Sequence, residues 1–82
     1  MGIADIQVQV QQLVDDTVTV LNSPSQAGLD ALADAAAQIS EKRAAEFQSA
    51  ADLYRNGDEA GGLAQLRDAA HNAENMVRQL FS

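Results

Sequence analysis

The tripeptide Asn56-Gly57-Asp58 constrains this chain more than any other feature, because it stands between two long apolar-periodic segments. Gly57 can take a left-handed conformation with no Cβ to clash, Asn56 ends the preceding helix, and Asp58 offers a carboxylate to the free N–H groups of the next one. Leu53, Tyr54 and Arg55 run directly into it, so there is no linker. Two helices must fold back on each other at this point.

After the turn, Leu63, Leu66, Ala70, Ala73, Val77 and Leu80 recur at alternating spacings of three and four, which predicts a helix over 59–81. Gly61 and Gly62 in its first turns should each cost about 1 kcal/mol relative to Ala. Either a neighbouring backbone approaches closely there, or the helix start frays. Before the turn, Leu29, Leu32, Ala36, Ile39, Arg43, Phe47, Ala50 and Tyr54 form one stripe, predicting a single helix over 24–56. Such a helix would be about 50 Å long. Its start is marked by Ser23 as a cap, Pro24 at the first helical position and Gln26 where a capping box places Glu or Gln.

The first segment, 4–21, carries two patterns. Ile6-Gln7-Val8-Gln9-Val10 and Thr17-Val18-Thr19-Val20 alternate with period two and are β-branched, so a hairpin turning at Asp15-Asp16 can be drawn. Ile3, Ile6, Val10, Leu13, Thr17 and Val20 also fall on a helical seam, widened by Val14 and Leu21. Asp-Asp without Gly makes a poor two-residue turn. Helix is the favoured reading.

Eighty-two residues make one domain, in a size range where a single core contributes only a few kcal/mol of net stability. Sixteen residues are Ala, whose methyl groups fill little volume, so the helices must pack closely, and self-association is expected. The formal net charge is −7, and residues 1–41 contain no Lys or Arg at all. Nucleic acid is disfavoured as a partner, since phosphate contacts need clustered cations. The missing early cations also argue against a cleaved signal, and no apolar run reaches the length of a membrane span. A cytoplasmic protein is expected, with signal-less export as the other route. The absence of Cys fits a reducing compartment.

Candidate chemistry is thin. Asp68-x-x-His71 with Glu74 has the spacing of a di-iron-type ligand pair, to which Glu41 and Glu46 could add carboxylates. His71 shares its row with Arg67 and Arg78, however, and cations beside a dication site are unfavourable. A solvated charged edge is the better reading, with no metal and no cofactor. A lone His without a second base is equally weak support for nucleophilic catalysis, and Gly57, Gly61 and Gly62 match no phosphate-binding loop, so no enzyme is expected. Lys42 and Arg43 are expected to snorkel past a thin core.

Ala50, Leu53, Gly57-Asp58, Gly62, Leu66 and Ala69 fall where a tetratricopeptide-type hairpin places its packing residues, so 50–69, about a quarter of the chain, resembles one such hairpin. Asn22-Ser23-Pro24-Ser25 is similar to the turn of type III secretion needle subunits, which are short helical hairpins, and small export chaperones of those systems are also short, acidic and helical. Tyr54-x-x-x-Asp58 resembles the tail signal of type VII substrates. These resemblances imply helical packing against protein partners.

The expected fold is all-α: an antiparallel helical hairpin of two long helices plus an N-terminal helix, as a three-helix bundle or a dimeric bundle. The expected function is non-enzymatic protein binding, as a small acidic adaptor or chaperone-like protein taking an amphipathic helix. The alternative is a self-assembling subunit or substrate of a secretion or surface apparatus. Ile6, Val10, Leu13, Val14, Phe47, Tyr54, Met76 and Phe81 are the expected contact residues, and the N-terminal helix is the element expected to move.

Overall fold

Ser40 divides what the apolar stripe predicts as one long helix. In the computed structural model, which describes residues 2–81 except the side chains of Ile3 and Phe81, four helices follow in order. They are α1 (Ile3–Asn22), α2 (Gln26–Ala37), α3 (Glu41–Arg55) and α4 (Glu59–Phe81). The expected helix over 24–56 is therefore corrected to two. Gln38 and Ile39 close α2 with tight N–H bonds to Ala35 and Ala36 carbonyls, and Ser40 is extended, its hydroxyl accepting from the Arg43 N–H at 3.2 Å. The stripe survives the break: Leu29, Leu32 and Ala36 of α2 share one core with Phe47 and Ala50 of α3. A straight helix would hold Leu29 and Phe47 about 27 Å apart. Breaking it lets each half cover the other.

The alternating pattern of the first segment gives way to helix, and no strand occurs among the described residues. Val10, Leu13 and Thr17 of the seam are buried, while Val8 and Val18 are left outside. Thr17 is satisfied inside by donating its hydroxyl proton to the Leu13 carbonyl at 2.8 Å. The boundary that follows is shifted from expectation. Ser23 closes α1 through its N–H, Pro24 lies outside both helices, and Ser25 caps α2 by accepting from the Gly28 N–H at 3.0 Å. Gln26 makes no capping box; its amide donates to Asp30 and to the Ala51 carbonyl, tying α2 to α3.

At the Asn56-Gly57-Asp58 turn, Gly57 has φ +97°. Its N–H reaches the Tyr54 carbonyl and the Asp58 N–H reaches that of Leu53, the paired bonds of a Schellman stop. Asp58 then accepts from the Gly61 N–H at 2.9 Å, starting α4. Gly62 marks a close approach of two backbones, since a Cβ there would lie 2.8 Å from the Ala50 carbonyl oxygen. The expectation of a tight crossing holds at Gly62.

Each helix packs on its chain neighbours, and α1 closes the ring by packing on α4 as well as α2. The interior is built on Leu13, Leu29, Leu32, Phe47 and Leu66, with alanines of α2, α3 and α4 filling the space between. The molecule measures 38 × 22 × 17 Å.

Candidate interaction grooves beside α1

Helix α1 turns its seam inward and exposes apolar surface along both flanks. Val8 is 69% exposed and Val18 52%. A helix of period 3.6 separates Val8 from Val10 and Val18 from Val20, so one valine of each alternating pair must leave the core. Each stands beside a groove.

The α1/α2 groove, about 340 Å³, is floored by Val8, Leu13 and Ala35 and edged by Gln9, Gln12, Asp16 and Gln38. Among the described residues its only charged lining side chain is Asp16, whose carboxylate accepts from the Gln12 amide at 2.9 Å. Gln9 Oε1 is buried with no hydrogen-bond partner. The α1/α4 groove, about 300 Å³, runs past Val14, Val18 and Leu21. Its α4 side carries Arg67, Asp68, His71 and Glu74. One groove carries a single acid; the other mixes both signs.

The cations are otherwise engaged or remote. Arg55 bridges Asp30 at 2.8 Å and Asp52 at 3.0 Å. Arg43 does not snorkel as expected: it is 6% exposed, and its guanidinium pairs with Glu46 at 2.8 Å. That contact has ion-pair distance without hydrogen-bond alignment at Glu46 Oε1, and Arg43 Nε is likewise unbonded. The other Glu46 oxygen accepts from the Asn72 amide. Together with Lys42, Asn75 and Met76 these residues line a polar cleft between α3 and α4 of about 440 Å³. Burying the pair is favourable only because each charge has a partner.

Glu46 is thus committed to Arg43 and Asn72, away from His71, which lies exposed on the α1/α4 groove with Asp68 and Glu74. Among the described residues no three His, Asp or Glu side chains converge as a metal ion would require. No described helix is long and apolar enough to cross a membrane.

Of the expected contact residues, Val10, Leu13 and Phe47 are buried inside the chain. A partner would reach Val10 and Leu13 only if α1 moved. Ile6, Val14, Tyr54 and Met76 are half-buried, with Val14 in the α1/α4 groove and Met76 in the polar cleft. Phe81 ends α4, but its side chain lies outside the described residues. Sequence reasoning missed Val8 and Val18 themselves. The signal was present in the Val-x-Val pairs, which no single helical face can bury.

No protein-family model, no curated protein and no solved structure matches this chain.

Proposed function

We propose that this chain is a non-enzymatic protein-binding module, a small acidic adaptor or chaperone-like protein that takes an amphipathic partner against α1. The observation that carries this reading is the pair Val8 and Val18, two large aliphatic side chains exposed beside grooves on one helix. Covering such a side chain stabilises association by about 1 to 2 kcal/mol before any other contact is counted. The net charge of −7 selects against nucleic acid and favours a partner with positive charge.

Self-assembly is the second reading, favoured by Leu80, a further aliphatic residue 45% exposed near the end of α4. A photo-crosslinking amino acid at position 8 or 18, introduced into the full chain in its own cells, separates the two. A discrete foreign protein crosslinked from position 8 or 18, but not from exposed Glu59, supports the adaptor. Crosslinks to the chain alone, with open-ended growth in sedimentation, support the subunit. No crosslink from either position refutes protein binding through α1.

A further inference from the structure

We infer that the α1/α2 groove is the docking site, and that its occupant is a cationic amphipathic helix of a partner protein. An aliphatic residue of that helix lies on Val8, and a Lys or Arg side chain reaches Asp16. This rests on the protein-binding reading above and adds to it a place and a chemistry.

Charge decides between the two grooves. Along the α1/α4 side, Arg67 and Arg78 stand among Asp68 and Glu74, two cations and two carboxylates, so that side is locally neutral. The α1/α2 groove contains Asp16 and no cation. Its surroundings are acidic as well: across α2, Asp34 and Glu41 line a shallow alanine-rich depression against α3. None of the five basic residues lines either surface. Arg43 and Arg55 are held in ion pairs, and Lys42 lines the cleft between α3 and α4. This side of the molecule therefore keeps an uncompensated negative potential beside its most exposed aliphatic residue.

Asp16 is the group such a partner would meet. It is exposed and lines the groove, and Lys and Arg bring N–H donors and positive charge together.

The shape calls for a helix. The groove lies between two helices, its α2 wall is Ala35, and the neighbouring outward residue Ala31 is also small, so a partner backbone can come close. No strand edge is present among the described residues to recruit an extended peptide by backbone pairing.

The test uses two labelled peptides of the same Leu/Ala-based helical sequence, one with Lys and one with Glu flanking the apolar face, titrated into the full chain by fluorescence anisotropy. The Lys peptide should bind, more weakly as salt rises, and the Glu peptide should not. Val8→Lys and Asp16→Lys, both at exposed positions that leave the helical spectrum intact, should each weaken binding about tenfold. Asp68→Lys makes the same charge change as Asp16→Lys on the α1/α4 side and should weaken binding much less. Equal loss from Asp68→Lys and Asp16→Lys would mean diffuse attraction and overturn the inference. Lys-peptide binding indifferent to Val8→Lys and Asp16→Lys would place the site elsewhere, overturning the inference while protein binding stands. Equal binding of both peptides would remove the charge argument. Failure of both peptides, with concentration-dependent self-association abolished by Val8→Lys, would assign the groove to a second copy and overturn the adaptor reading too.

Discussion

Replacing Gly62 by Ala should destabilise the protein, although helix propensity alone forecasts the reverse. Ala in place of Gly in a helix interior contributes about 1 kcal/mol of stability. Here the new Cβ would lie 2.8 Å from the Ala50 carbonyl oxygen, 3.0 Å from the Tyr54 nitrogen and 3.2 Å from the Tyr54 Cβ. Two of those atoms are backbone inside α3 and cannot rotate away, so α3 and α4 must part by a few tenths of an ångström. Ala50 of α3 and Ala69 of α4 share the buried cluster, both fully buried, and such small side chains cannot extend to fill the gap. Overpacking of this kind costs about 1 to 3 kcal/mol, which exceeds the propensity gain. The net loss should be about 1 kcal/mol, or about 4 to 8 °C in Tm for a domain of this size. Gly61→Ala is the control: the three atoms nearest its Cβ would all belong to the Asp58 carboxylate, a side chain that can swing aside. It should gain propensity, lose part of the cap and change Tm little. Thermal unfolding followed by circular dichroism at 222 nm reads both variants. A Gly62→Ala protein melting at or above the parent would refute the close-packing argument.

Ser40→Ala should cost about 1 kcal/mol in urea unfolding, as loss of a cap does; a stabilised variant would indicate one continuous helix through 38–40. Leu13→Ala removes a side chain 1% exposed in the core, and should destabilise by about 2 to 5 kcal/mol if α1 is docked in solution; an unchanged Tm with weakened partner binding would show that α1 leaves the bundle instead. His71→Ala should leave Tm nearly unchanged, and elemental analysis of the purified parent should find no stoichiometric iron, zinc or manganese; a bound metal lost with the His would overturn the solvated-edge reading.

The parts of the fold legible in the sequence are those fixed by local chemistry or a strict period. Asn56-Gly57-Asp58 was readable because left-handed backbone and a capping carboxylate each demand particular residues. The α4 seam was readable because Leu66, Ala70 and Ala73 recur without interruption, and all three are buried. The break at Ser40 was not read. Leu29 through Tyr54 keeps spacings of three and four straight through it, and one serine followed by Glu41 is weak against that continuity. The energetic reason for the break is tertiary: α2 must fold back along α3 to bury Leu29 and Leu32, and periodicity within one segment contains no term for that. The site followed the same division. The acidity of 1–41 was plain from the sequence, whereas the separation of Asp16 from the cations required knowing that Arg55 reaches Asp30 and that Arg43 turns inward.

The thin core also bears on how α1 could serve a partner. Beyond alanine, the other three helices contribute mainly Leu29, Leu32, Phe47 and Leu66 to the buried cluster, and α1 adds Leu13 to it, with Val20 and Leu21 packed alongside. Undocking α1 would uncover those large residues at once, and in a domain of this size the bundle has only a few kcal/mol to lose. Val8 and Val18 are already outside, so a partner can gain apolar contact without paying that penalty. Recognition on the outer flanks of a docked α1 is therefore the lower-energy route. Displacement of α1 would need a partner that replaces Leu13 in the core as well as covering what α1 covered.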